Sequence, residues 1–161
     1  MIKITSNVDK VLKQVRQYRD ELQNKMRLFL EKLGEIGVNT AEVKFATARY
    51  DGDNDVIVDF QWLDENKLVV SATGKAVTFI EFGSGIMADF TDYAMQFGYG
   101  PGSWSDNEAL GGKHHWQDLN GWYYEHGKKT IGNPPARAMY DAGKEMRNRI
   151  AEIAREVWKN D

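Results

Sequence analysis

Between Asn7 and Ile36 the apolar residues Val8, Val11, Leu12, Val15, Leu22, Met26, Phe29, Leu33 and Ile36 recur at steps of three and four. That is the period of an α-helix with one apolar face. Ser6, with Asp9 three positions on, supplies an N-cap and an acidic first turn. Gly34 and Gly37 supply stop signals. A helix of about thirty residues at ~1.5 Å each spans about 45 Å. The whole chain has 161 residues, the size of one domain. A helix that long either lies wholly along its own sheet or runs past its own core, and the expectation is that it projects or crosses a neighbouring subunit.

Four short strand candidates follow. Val43, Phe45 and Thr47 alternate with Lys44, Ala46 and Ala48, and Val56, Val58, Phe60 and Trp62 alternate with the polar Asp59 and Gln61. Lys67–Thr73 and Ala76–Phe82 are rich in Val, Ile, Phe and Thr. The breaks DGDN, DENK and TGK are short and polar, which predicts an antiparallel meander over 42–83. At NPPARAMYDAG a last helix is expected over 134–158, with Asn133 as N-cap and Pro134 in the first helical position. Met139, Ala142, Met146, Ile150, Ile153 and Val157 mark its apolar stripe, and Gly143 within it suggests a close backbone contact. The fold class is α+β in one domain: a long N-terminal helix, a β-meander of about four strands, a Gly-rich aromatic insertion over 84–133, and a C-terminal helix packed on the sheet.

Chemistry-bearing patterns are sparse. The chain is mildly acidic, with net charge −3 and pI near 5.7, which argues against a DNA-coating or membrane-surface protein. It has no cysteine, so neither a disulfide framework nor a Cys-ligated zinc is available, and synthesis inside the cell is expected. MIKITSNVDK lacks a signal peptide's apolar core, and no apolar run approaches the ~18 residues of a membrane span. DGDND at Asp51–Asp55 has Val56 and Trp62 where a calcium loop needs Gly and Glu, so a polar turn is expected. Carboxylate pairs such as Glu81 with Asp59 or Asp89 have no visible shared pocket. Glu81 breaks an apolar run, which points to a half-buried carboxylate hydrogen-bonded to backbone. The GSG at Gly83 and GYGPG at Gly98 lack phosphate-loop spacing and read as turns needing positive φ.

The insertion has two notable contents. His114, His115 and His126, with Asp118, Asn120 and Glu125 among them, are a possible metal set of the kind used by small nucleases, although no HExxH or His-x-His pattern is present. Trp104, Trp116, Trp122, Tyr123 and Tyr124, with Tyr93, Phe97 and Tyr99, give it an aromatic surface that must be covered by its own fold or by another chain. Burial at a subunit contact is the expectation, since aromatic anchors dominate interfaces.

Two blocks carry a resemblance. Ile80-Glu81-Phe82-Gly83-Ser84-Gly85, and Thr130-Ile131-Gly132-Asn133-Pro134-Pro135-Ala136-Arg137-Ala138-Met139 opening the last helix, resemble the head–tail joining or tail-completion proteins of the neck of tailed bacteriophages. The long first helix followed by a meander looks like that family too. Ala138-Met139 stands where members often carry Pro-Phe. The resemblance implies a non-enzymatic virion protein without cofactor or metal, assembled in the host bacterial cytoplasm and found also in defective prophages and tail-like bacteriocins. Its implied partners are other copies in a homo-oligomeric ring, neighbouring connector, neck and tail-terminator or tail-tube proteins, and DNA that crosses the lumen without specific binding. The residues expected at contacts are Glu81, Phe82, Gly83, Gly85, Tyr99, Trp104, Trp116, Trp122, Tyr123 and Tyr124. The alternatives are a metal-dependent phage enzyme built on the three histidines, or another virion part such as a tail-tube or minor capsid component.

Overall fold

The computed structural model describes residues 7–50, 52–89, 91–97, 122–124 and 128–159. Helix α1 runs from Val8 to Ala46, ten residues past the expected end. Gly34 and Gly37 do not stop it. Both are buried, and the space a side chain would need is occupied: a Cβ on Gly34 would lie 2.9 Å from Leu68 and 3.2 Å from the Phe60 ring. One on Gly37 would lie 2.6 Å from the Met146 sulfur and 3.1 Å from Val70. The glycines therefore sacrifice helix propensity to let other elements approach the helix closely. Val43–Thr47, expected as a strand, is the last turn of α1 and its cap. Ala41 and Phe45, four apart, are buried on one side while Val43 points outward. The Thr47 N–H and hydroxyl both donate to the Val43 carbonyl, and the Asn54 amide donates to that of Phe45.

Strands β1 (Ile57–Asp64) and β2 (Lys67–Thr73) pair antiparallel, from Ile57 opposite Thr73 to Asp64 opposite Lys67, with an irregularity after Trp62. Asn66 N–H donates to the Asp64 carboxylate and closes the turn. The alternation in this hairpin is as read: Val58, Phe60, Leu68 and Val70 face α1, while Ile57 and Leu63 are exposed. The expected fourth strand is instead helix α2 (Val77–Phe82). Six residues, four of them apolar, do not distinguish the two periods, and here Ile80, Glu81 and Phe82 are all buried, which no strand with one solvent face allows. The meander is thus one hairpin, and DGDND is the connection from α1 into β1 rather than a turn between strands. The Asp55 carboxylate accepts the N–H groups of Lys75 and Ala76, tying the entry of β1 to the entry of α2. Those two donors hold its pKa below the ordinary carboxylate value.

The segment expected to be irregular contains a 3-10 turn (Gly85–Met87), α3 (Asp92–Gln96), and a short antiparallel pair of β3 (Trp122–Tyr124) and β4 (Lys128–Thr130). Helix α4 spans Ala138–Trp158, so Asn133 and Pro134 precede it rather than opening it. It lies antiparallel to α1: Asp141 pairs with Lys44 at 2.7 Å, Glu156 with Lys32 at 2.8 Å, and Trp158 meets the Phe29 ring edge-on. Ala142, Ile153 and Val157 of the expected stripe are buried, and Ile150 is exposed. Gly143 makes no close approach, since a Cβ there would meet only Arg147, at 3.6 Å. The core joins Ala41, Phe45, Val58, Ala76, Ile80, Ala138 and Ala142, with Leu33, Ile153 and Val157 in a second cluster. Its alanines let α1 and α4 pack closely, and among the described residues Ile80 is the largest side chain that is wholly enclosed. Cover for α1 stops where Trp158 meets Phe29 and Trp62 lies beneath Arg27. From Val8 to Leu22 the apolar residues of the helix are 43–68% exposed. No described helix is long and apolar enough to cross a membrane.

These contacts separate two glycines that look alike in the chain. Gly143→Ala should raise unfolding free energy by about 0.5–1 kcal/mol, because it gains helix propensity with room to spare. Gly37→Val should lower it by about 1–3 kcal/mol through overpacking against Met146 and Val70. Urea unfolding at constant m-value reads both.

Candidate functional site

The two sequence blocks that stand out in the chain meet in space. A helix of six residues leaves its last four carbonyls without intrahelical donors, and in α2 those are Phe79, Ile80, Glu81 and Phe82. Each has a partner from outside the helix. Asn133 Nδ2 donates to Phe79 O at 2.8 Å, Ala136 N–H to Ile80 O at 2.8 Å, Arg137 N–H to Glu81 O at 3.1 Å, and Asp89 N–H to Phe82 O at 2.6 Å. Three of the four donors come from Asn133–Arg137. Pro134 and Pro135, which have no N–H, fall where that segment needs none, and their fixed φ keeps it extended.

The debt runs the other way at the start of α4. Its N-cap residue, Arg137, makes no side-chain cap. Instead the Glu81 carboxylate reaches across: Oε2 accepts Met139 N–H at 2.9 Å, and Oε1 accepts Tyr140 N–H at 3.2 Å together with the Tyr93 hydroxyl at 2.5 Å. Glu81 is only 2% exposed. An anion so deeply buried is tolerable because it sits at a helix N-terminus, where the free N–H groups and the dipole both favour negative charge. α2 and α4 therefore cap each other, one through its carboxylate and one through the extended segment that leads into it.

Around this exchange the backbone bends tightly. Gly83 has φ 73° and Gly132 φ 100°, and a Cβ on Gly132 would lie 2.0 Å from Ser84 O. The two glycines let Ser84 and Asn133 come together, with Ser84 N–H donating to Asn133 O and the Ser84 hydroxyl to Asn133 Oδ1. Arg137 is itself left-handed, at φ 51°, which costs a non-glycine residue roughly 1–2 kcal/mol. Its guanidinium forks onto Asp89, Nε to Oδ2 at 2.8 Å and Nη2 to Oδ1 at 2.9 Å, and this bidentate pair holds the conformation. Burial by itself pushes the Asp89 carboxyl up. Hydrogen bonds from Thr91 and the Arg137 fork together outweigh that and hold it below its ordinary value. Burial, then the bond to Glu81, pushes the Tyr93 phenol far above its ordinary range.

In chemical terms the arrangement is a rivet. Every carboxylate oxygen of Glu81 and Asp89 accepts a hydrogen bond from within the subunit. Of the residues expected at subunit contacts, Glu81, Phe82, Gly83 and Gly85 are buried inside the subunit itself, so what they contribute to any contact is the shape they hold. The backbone-bonded Glu81 is as expected, though in a helix, and Gly83 and Gly85 do have positive φ. Tyr93 and Phe97 pack against Phe82, and Tyr93 also against Tyr140. Trp122, Tyr123 and Tyr124 form β3 through their backbone. Tyr99, Trp104, Trp116, His114, His115 and His126 lie outside the described residues. Among the described residues no group of three or more His, Asp or Glu is placed to hold a metal ion. Asp89, Tyr93 and Arg137 are the site residues whose partners sequence reading missed. The signal for Arg137 was its place after the proline pair, where a strand must turn sharply into a helix.

The chain matches no protein-family model, and no curated protein or solved structure is significantly similar to it.

Two outcomes test the rivet. Glu81→Ala strips α4 of its cap and orphans the Tyr93 hydroxyl, and should cost about 3 kcal/mol in urea unfolding. Asp89 has a folded pKa below its unfolded one, so its stabilising contribution is complete above the ordinary carboxylate value of 3.8 and is lost as pH falls from there through the folded pKa. Asp89→Asn should therefore flatten the acid limb of the stability–pH curve while lowering stability at neutral pH.

Proposed function

We propose that this chain is a non-enzymatic structural protein of a tailed-phage neck, whose copies form a ring that joins or completes the tail at the head–tail interface around the DNA channel. One observation carries the reading. The two blocks that resemble the head–tail joining proteins, forty-nine residues apart at the Ser84–Asn133 bond, are a single interlocked unit rather than two separate coincidences of sequence. A unit whose Glu81 and Asn133 side chains are committed to capping neighbouring helices is a scaffold, and a scaffold is what a ring subunit requires. The acidic balance of the chain suits a lumen through which DNA slides, because phosphates are not drawn to it.

On this reading the partners are other copies of the chain and the proteins of the adjoining connector and tail layers, with no cofactor. Removing the gene from the phage or prophage that encodes it should leave DNA-filled heads and separate tails, and adding back the purified protein should join them. Electron microscopy of the particles decides the matter. Intact, infectious particles without the protein would overturn the reading, as would a purified chain holding one transition-metal ion per subunit and cutting DNA.

A further inference from the structure

We infer that the N-terminal arm of α1 docks, through its apolar stripe, on the outer face of the β1–β2 hairpin of a second copy of this chain. The stripe is not a new feature beginning at Val8. It continues the one that, at Phe29, Leu33 and Ile36, packs against Ile153, Val157 and Trp158 of the same chain. α4 ends and the stripe does not. Val11, Leu12, Val15, Tyr18 and Leu22 stay on the helical period, and among the described residues of their own subunit none lies over them. About twenty residues at ~1.5 Å make an arm of about 30 Å, and a helix of that length is marginal in water unless its apolar face is covered.

Charge selects the cover. Residues 8–27 carry six Lys or Arg against three Asp or Glu, while the rest of the chain carries fifteen against twenty-one. Two arms laid side by side would set a positive surface against a positive one. An arm laid on the body of another copy sets opposite signs together, which favours that encounter and disfavours the other. Within the body the hairpin has the matching face. Residues 53–73 carry five carboxylates and one lysine. Ile57, Asp59 and Leu63 of β1 are exposed on the side away from α1. A two-stranded sheet with apolar residues on its open side is an incomplete layer. Its eight-residue strand β1, at ~3.3 Å per residue, is about 26 Å long, close to the arm's length. The contact is head-to-tail, arm of one copy on hairpin of the next, and closes into a ring if the rotation between copies divides a full turn.

The inference rests on the neck reading only for the expectation that copies assemble, and it names the contact that reading leaves open. Sedimentation velocity of the full chain tests it. The wild type should form an oligomer that weakens as salt is raised. Val15→Glu with Leu22→Glu should give a monomer that still unfolds cooperatively in urea, since the arm serves no core of its own, and whose far-ultraviolet circular dichroism loses at most the helicity of the uncovered arm. Lys13→Glu with Arg16→Glu, and separately Asp59→Lys with Glu65→Lys, should each weaken association at least about tenfold. Mixing those two reversed variants should restore it, because each then offers the other an opposite charge. A wild type that stays monomeric at every concentration overturns the inference. So does association that survives the arm substitutions or ignores the hairpin reversal, or an arm that leaves the chain monomeric and binds duplex DNA or anionic vesicles instead. None of these outcomes touches the particle experiment, so a failure of the arm contact and a failure of the neck reading are seen separately.

Discussion

Two helix ends meet at the centre of this molecule, and each lacks what the other supplies. α2 is too short to satisfy its own C-terminal carbonyls, and α4 begins on a left-handed arginine that cannot cap it. The extended segment from Asn133 to Arg137 donates to α2, and the Glu81 carboxylate accepts from α4. Buried backbone groups left without partners are costly, so neither helix is sustainable in this place without the other. Nearly every unusual residue of the region follows from that exchange: the proline pair where no donor is needed, the glycines where two segments of the chain meet, and the Arg137–Asp89 fork where the backbone is strained.

The rest of the fold hangs from this joint. It sets α4 against the C-terminal half of α1 at a spacing that alanines on both sides allow, and Asp55 fastens the hairpin to the start of α2. Glycines 34 and 37 let the hairpin and Met146 press against α1 from two sides. The result is uneven. Among the described residues, one half of α1 is surrounded and the other half is bare, though both carry the same stripe. On the proposed reading that asymmetry is the working feature of a ring subunit, with a rigid body that carries a reach beyond itself.

Much of this was legible from residue order and some was not. The α+β class, the long first helix, the β1–β2 hairpin with its alternation and polar turn, and the apolar stripe of α4 follow from period alone, because period reports which face is buried. Glu81 was legible as a half-buried, backbone-bonded acid, since a carboxylate in an apolar run must find donors, and the structure buries it almost wholly. The strand assignments at Val43–Thr47 and Ala76–Phe82 failed for a shared reason. Segments of five to seven residues with only a few apolar positions fit either period, and both are helical here because their surroundings bury adjacent residues or extend a helix already begun. Gly34 and Gly37 misled because a glycine that ends a helix and one that admits a neighbour are the same letter.

What the sequence by itself determined is local: periodicity, turn chemistry, the absence of thiols, the sign of the charge on each segment, and two motifs unusual enough to notice. Only the tertiary structure decided that those motifs are one object, that Glu81 caps a helix fifty-eight residues away, and that the apolar face of α1 outruns its cover. Capping and cover are relations between distant segments, and the free energy of a hydrogen bond or a buried side chain depends on which partner the folded chain brings within reach.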